Sequence, residues 1–308
     1  MVIMQQPDLK VTIGEWTVKN PIMTASGTFG YGEEFSPYVN LEDLGAIVVK
    51  GISLEPRRGN PPPRIVETPC GMLNAIGLEN VGVDKFISEK IPLFNKYKTD
   101  FIVNILGDSV KEYSALAERL DDSPVAAIEV NISCPNVKKG GVAFGVDPKM
   151  AYEVTKAVKE KTTKPVIIKL SPNVTNITIM AQAAEEGGAN AVSLINTLLG
   201  MAIDSATRRP RLANIVGGLS GPAIKPIALR MVWQAASAIN IPVIGIGGIR
   251  TVEDVVEFML AGASAVEIGT ANLIDPGVSG QLVESLKDYL QQNNIPKVTE
   301  LIGSLNTK

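Results

Sequence analysis

Three features of the sequence predict a (β/α)8 (TIM) barrel. Eight short runs rich in Val and Ile recur at residues 22–25, 46–50, 101–105, 126–131, 166–170, 191–195, 243–246 and 265–268, the composition of strands buried on both faces. Amphipathic stretches with helix punctuation lie between them. The junctions also repeat: Gly188-Ala189-Asn190-Ala191-Val192 matches Gly262-Ala263-Ser264-Ala265-Val266, and Pro165-Val166-Ile167 matches Pro242-Val243-Ile244, an internal βα echo. A doubly wound sheet is the other architecture that such alternation permits.

At the start, Leu9-Lys10-Val11-Thr12-Ile13 alternates before Gly14 and a second run to Val18, which predicts an N-terminal β-hairpin. Thr251 stands at capping-box spacing from Asp254, Val255, Val256, Met259 and Leu260 supply an apolar face, and Gly262 closes that helix. Another helix is predicted over residues 175–186, ending at Gly187-Gly188. Residues 52–81, with Pro61-Pro62-Pro63, and residues 198–222 are long excursions that follow strands. In a barrel both stand as long loops at the catalytic face. No Ser/Gly linker or shift of composition divides the chain, so residues 1–308 are expected to form a single domain.

With 308 residues and 45% apolar content the chain can bury a large core. Its 32 acidic and 29 basic side chains leave a net charge of -3, no basis for binding nucleic acid or an anionic membrane. A small anionic substrate would need a few local cations. Residues 1–14 lack the basic and apolar regions of a signal peptide, and no apolar run approaches a membrane span. Cys70 and Cys134 are the only cysteines, too few for a disulfide framework and, without histidine, for a zinc site. The expectation is a cytoplasmic protein with reduced thiols and no metal.

Absence of histidine removes the usual proton acceptor at neutral pH. The best-placed substitute is Cys134, in Asn131-Ile132-Ser133-Cys134-Pro135-Asn136 at the end of the fourth apolar run. Strand ends converge in a barrel, and here they are polar: Ser26, Lys50-Gly51, Asn104, Asn131, Lys169 with Ser171, Asn196-Thr197, Gly247-Gly248 and Gly269-Thr270. A lysine closing a buried strand, as Lys50 and Lys169 do, must find an anion or sit deprotonated, unless it snorkels to solvent. Both would suit an anionic substrate or a cofactor that becomes anionic on reduction.

Gly245-Ile246-Gly247-Gly248-Ile249-Arg250 leads into the helix capped by Thr251, and Gly269-Thr270 follows the last strand. Glycines also mark plain tight turns. Two neighbouring glycine loops beside a helix N-terminus favour a phosphate cradle, where barrels commonly place one. Arg250 stands where a dinucleotide fingerprint would need its third glycine. Cys70 reads as an inert thiol and the Arg208-Arg209-Pro210-Arg211 run as a solvated loop. Glu129 and Glu267 interrupt apolar strands, and Glu129 shares parity with Asn131, so it can face the interior and pair with a lysine.

Five motifs in order give the chain a close resemblance, over its whole length, to class 1 dihydroorotate dehydrogenases. They are Asn-Ile-Ser-Cys-Pro-Asn at 131–136, Gly-Met-Leu-Asn-Ala-Ile-Gly-Leu at 71–78, Ile-Ile-Lys-Leu-Ser-Pro-Asn at 167–173, Ile-Asn-Thr at 195–197 and Ile-Gly-Gly-Ile at 246–249. The loop Lys138-Lys139-Gly140-Gly141-Val142-Ala143-Phe144-Gly145 resembles that of the class 1B catalytic subunit, which is NAD-linked. The resemblance implies oxidation of (S)-dihydroorotate to orotate in pyrimidine (UMP) biosynthesis, Cys134 removing the C5 proton while hydride passes from C6 to N5 of FMN. Implied FMN contacts are Ser26, Lys50, Gly51, Asn104, Asn131, Lys169, Ile195, Gly221, Gly247, Gly248, Gly269 and Thr270. Implied substrate contacts are Lys50, Asn74, Ala75, Ile76, Gly77, Leu78, Asn131, Asn196 and Thr197. It also implies a homodimeric core and an electron-transfer partner subunit carrying FAD and a [2Fe-2S] cluster, two copies of each chain forming a heterotetramer. This chain has too few cysteines to hold such a cluster itself.

Other readings keep the barrel but change the chemistry: a fumarate-linked class 1A enzyme, a flavin-free isomerase or lyase of a phosphorylated metabolite, or a binding subunit without activity. So many converging polar strand ends argue against the last.

Overall fold

A computed structural model describes residues 6–133 and 144–307 of the chain. Among them eight parallel strands close a barrel: Ile22–Thr24, Ala46–Ile52, Asp100–Ile105, Ala127–Asn131, Val166–Lys169, Ala191–Leu194, Val243–Ile246 and Ala263–Ile268, the last pairing back with the first. Each predicted run is one of these strands, with ends moved by one to a few residues. The β-branched side chains bury both faces, as in Val166–Lys169, where all four residues are buried. The closed order rules out the doubly wound sheet.

The register assigns each side chain to a face. Asn104 pairs with Glu129, Asn131 with Lys169, Ser193 with Lys169, Ile246 with Glu267 and Glu267 with Met23. Paired residues share a face and alternate residues share a side, so these polar groups all point inward. Two residues earlier on the strands, at the N-terminal side, the interior positions are Ile102, Ala127, Ile167, Ala191, Ile244 and Ala265, all buried. The barrel is therefore apolar below and polar above.

The predicted hairpin is present as Val11–Ile13 with Trp16–Val18, turning at Gly14 with φ 62°. Trp16 Nε1 donates to Asp100 Oδ2 at 2.9 Å, which lays the hairpin across the N-terminal mouth of the barrel. Helices Val110–Leu120, Pro148–Lys159, Ile177–Glu186, Lys225–Ala236, Val252–Leu260 and Val278–Gln292 follow the third to eighth strands. Side-chain caps set their starts: Ser109, Asp147, Asn176 and Thr251 each accept a backbone N–H of the first turn. Asn176, extended at φ -134°, is why the predicted helix over 175–186 begins at Ile177.

Strict alternation fails early in the chain. Only the short 3-10 turns Glu33–Phe35 and Leu41–Asp43 join the first strand to the second, and Val278–Gln292 packs against that first strand. Aromatic rings fill the neighbouring gap, with Phe29 stacked on Phe35 and Phe94 on Phe101.

Both excursions stand at the C-terminal end and pair with each other. Leu198–Met201, Val216–Ser220, Gly71–Asn74 and Ile65–Thr68 form one antiparallel sheet, joined where Gly218 faces Asn74. Val66, Leu73 and Leu212 give this roof a small core of its own. Among the described residues no helix is long and apolar enough to cross a membrane.

Candidate active site

Between the roof and the polar upper rung of the barrel lies a cavity of about 660 Å³. Its walls include Ser26, Lys50, Gly51, Asn104, Asn131, Lys169, Ile195, Gly221, Gly247, Gly248, Gly269 and Thr270 from the strand ends and the loops after them. Asn74, Ala75, Ile76, Gly77, Leu78, Asn196 and Thr197 complete it from the roof side. Ser26 and Thr270, 244 positions apart in sequence, thus meet in one space. Cys134, with Pro135, Asn136 and the loop through Ala143, lies outside the described residues. Ser133 and Gly145, which flank that loop, both line the cavity.

The two lysines occupy opposite electrostatic situations. Lys169 is 5% exposed, and its Nζ lies 3.2 and 3.4 Å from the carboxylate oxygens of Glu129 and 3.0 Å from Glu267 Oε2. Burial opposes the ammonium, but Glu129 and Glu267 outweigh it and hold Lys169 above the ordinary lysine value. Lys50 is half-buried and has no ion-pair or hydrogen-bond partner for its ammonium among the described residues. Burial pulls its pKa below the ordinary lysine value, with Glu79 acting in the other direction. An unpaired cation in a cavity wall is a seat for an anion.

Amide side chains line the same cavity. Asn131 Oδ1 accepts from Asn196 Nδ2 at 3.2 Å and from the amide of Ser133 at 3.1 Å, leaving its own Nδ2 group without a partner among the described residues. Asn196 Oδ1 accepts from Thr197 N at 2.8 Å, and Asn74 Nδ2 donates to the carbonyl of Gly218 at 3.3 Å. Asn104 donates to Glu129 Oε1 at 2.5 Å, while its buried Oδ1 has no partner among the described residues. Gly51 leaves room for that oxygen: a Cβ there would stand 2.7 Å from it.

The glycine loops differ from expectation in one respect. Asp254 Oδ2 accepts from the amides of Arg250 and Thr251 at 2.7 and 3.0 Å, and Oδ1 pairs with Lys225 at 2.6 Å. The capping box predicted from Thr251 and Asp254 is formed, and it engages the amides of Arg250, Thr251 and Asp254. What faces the cavity is the backbone of Gly247-Gly248, Gly221 and Gly269-Thr270. Gly248 sits at φ 78°, and a Cβ there would meet Lys225 Cβ at 2.8 Å and the Gly221 carbonyl at 2.9 Å.

The family model for dihydroorotate dehydrogenase matches residues 8–290. The chain belongs to the dihydroorotate dehydrogenase family. It is 63% identical over 303 residues to the "Dihydroorotate dehydrogenase B (NAD(+)), catalytic subunit" of Geobacter sulfurreducens, covering 98% of this chain and 99% of the relative. The protein of the same name from Geotalea uraniireducens is 60% identical over 305 residues, covering 99% and 100%. That from Thermoanaerobacter sp. is 55% identical over 298 residues, covering 97% and 99%.

Sequence reasoning missed several residues that shape this dihydroorotate dehydrogenase site. Asn80, 6% exposed, donates from Nδ2 to Ser53 Oγ at 2.8 Å and to the Leu78 carbonyl at 2.9 Å, and its Oδ1 accepts from Ser53 N at 3.2 Å and Gly82 N at 2.8 Å. Tyr113 donates its hydroxyl to the carbonyl of Asn131 at 2.7 Å, fixing the end of the fourth strand. Ser193 Oγ donates to Glu129 Oε2 at 2.7 Å, and Thr270 is tied to Ser220 at 2.8 Å. Strand parity could have found Ser193; nothing local signals Asn80 or Tyr113. Cys70 is exposed at the turn between two roof strands, and Arg208, Arg209 and Arg211 are exposed beyond the roof.

Proposed function

We propose that the chain oxidises (S)-dihydroorotate to orotate in pyrimidine biosynthesis, with FMN bound in the cavity above Lys169. The observation that carries this reading is Lys50, a half-buried ammonium without a partner among the described residues, set among the amides of Asn74, Asn131 and Asn196. A carboxylate on a flat ring bearing C=O and N–H edges matches that donor set.

The residues fit a flavin phosphate and ring. Bare backbone at Gly221, Gly247, Gly248 and Gly269 lets a phosphate approach without a Cβ in the way, and the unpartnered Oδ1 of Asn104 offers an acceptor to a ring N–H. Ser26, Gly51, Ile195 and Thr270 complete the expected contacts. FMN bound there supplies the acceptor for the C6 hydride.

The chain does the rest. Lys50 holds the substrate carboxylate, Asn74, Asn131, Asn196 and Thr197 fix the ring, and the backbone from Ala75 to Leu78 closes over it. Lys169 places a fixed positive charge below the site. Cys134, bonded to the cavity-lining Ser133, takes the C5 proton as thiolate; its role rests on the motif at 131–136. The relatives' shared name, catalytic subunit with NAD(+), supports onward transfer of electrons to NAD through a second subunit; that this subunit bears FAD and a [2Fe-2S] cluster, on a homodimeric core in the cytoplasm, rests on the family resemblance of the sequence motifs.

Anaerobic titration of the purified protein with dihydroorotate tests this reading. The flavin absorbance bleaches, and NAD reoxidises it only when the partner subunit is added. Rapid reoxidation by fumarate alone identifies a class 1A acceptor instead, and protein that releases no flavin on denaturation is a different kind of barrel enzyme.

A further inference from the structure

Inside the barrel, one cation stands between two carboxyl groups. Glu129, Lys169 and Glu267 are 0%, 5% and 1% exposed, so their charges have almost no water to share. With both carboxyls ionised the trio would carry a net negative charge in a dry interior, a costly state.

The hydrogen bonds tell the two carboxyls apart. Glu129 is saturated with donors: Asn104 at 2.5 Å and Lys169 at 3.2 Å on Oε1, Ser193 at 2.7 Å and Lys169 at 3.4 Å on Oε2. Glu267 receives Lys169 on Oε2 alone, and its Oε1 has no partner donor among the described residues. Lys169 Nζ lies within 3.0–3.4 Å of oxygens of both carboxyls, so Glu129 and Glu267 crowd around a single ammonium. Two like charges crowded around one cation away from water favour the state in which one carboxyl keeps its proton, and the carboxyl with fewer donors is the one that keeps it. From the strands flanking Glu267 come Met23 and Ile246, which bring no charge, and the other cations on the cavity wall are Lys50 and Arg250.

We propose that Glu267 is a resident proton carrier: it holds a proton while Glu129 stays the ionised partner of Lys169, making the Glu129–Lys169–Glu267 cluster neutral as a whole and Glu267 a positioning residue that acts through Lys169. Burial and the neighbouring Glu129 push the Glu267 carboxyl well above the usual carboxylate range, in keeping with this. The role toward the cofactor rests on the reading that FMN lies above Lys169; the proton itself does not. Without it the cavity floor is negative and opposes electrons arriving above it, whereas with it the positive charge of Lys169 is balanced only once.

Infrared spectroscopy of the holoprotein at neutral pH, in H2O and D2O, tests the proton directly. A protonated-carboxyl C=O band appears in the native protein and is lost in Glu267→Gln. It is also lost in Glu129→Gln, because Glu267 is then the sole carboxylate beside Lys169 and ionises. No band in the native protein, or a band that survives either substitution, overturns the assignment. The midpoint potential of the bound flavin gives the second readout. In the native protein it falls additionally over the pH range where the band titrates away, and Glu267→Gln removes that extra fall. An unchanged profile in the variant overturns the positioning role. Should a variant not fold, the native band and its pH titration still decide, and protein without flavin leaves the infrared result standing while refuting the functional reading.

Discussion

Asn80 donates its side-chain amide to the carbonyl of Leu78 at 2.9 Å, and Leu78 is a non-glycine residue held at φ 60° on the cavity wall. A leucine in the left-handed region persists only where its surroundings enforce it. The other three bonds of Asn80, to Ser53 and Gly82, anchor it to the base of the same excursion.

Asn80→Ala removes that anchor and leaves buried backbone groups unsatisfied. The expected loss is about 1–3 kcal/mol of stability, measured by denaturant unfolding, with KM for dihydroorotate rising more than kcat falls. An unchanged KM shows that the loop from Asn74 to Leu78 keeps its shape without Asn80.

Lys50 sets activity against stability. Burial depresses its pKa, so between that folded value and the ordinary lysine value the folded chain binds fewer protons than the unfolded one. The cost of its charge is therefore full below the folded pKa and fades as pH rises through it. Lys50→Met stabilises the unliganded protein by about 0.5–2 kcal/mol at neutral pH and abolishes measurable orotate binding. In the native enzyme orotate affinity falls as pH rises through the same window; a flat affinity there removes Lys50 from the carboxylate site.

Gly248→Ala tests the cradle. A methyl group at φ 78°, 2.8 Å from Lys225 Cβ and 2.9 Å from the Gly221 carbonyl, forces the glycine loop away from its position. Purified variant carries substoichiometric FMN while the far-UV spectrum stays native. Full flavin content after dialysis excludes this backbone as the phosphate seat.

The barrel was legible because strands buried on both faces must be continuous apolar runs, and Glu129 and Glu267 stood out as exceptions within them. That Glu129 faces inward and meets a lysine was legible from its parity with Asn131, and the pair with Lys169 bears it out; that Glu267 joins the same lysine was not, since it depends on the register of strands 40 and 98 residues away. The roof strand Val216–Ser220 escaped notice for a different reason. Its glycines give no periodicity, and its partner Gly71–Asn74 lies in the other excursion, 144 residues away at the Asn74 to Gly218 bond. Those glycines answer to tertiary packing: a Cβ on Gly217 would stand 2.7 Å from the Asn74 carbonyl oxygen. The short turns after the first strand were likewise hidden, because the covering helix Val278–Gln292 comes from the far end of the chain.

Cys134 follows directly on Ser133, whose Oγ donates to the Lys169 carbonyl at 3.2 Å on the cavity wall. With no histidine in the chain, the proton from C5 needs another acceptor, and a thiolate is a competent base at neutral pH and above. Flavin reduction by dihydroorotate therefore accelerates as pH rises toward the ordinary thiol value of about 8.5. Cys134→Ala slows that step by about 10²–10⁴-fold with FMN content unchanged. Cys134→Ser retains part of the rate and moves the rising limb to higher pH, because a hydroxyl is the weaker acid. Anaerobic stopped-flow measurements across pH separate these outcomes, and reduction of Cys134→Ala at the native rate excludes Cys134 as the base.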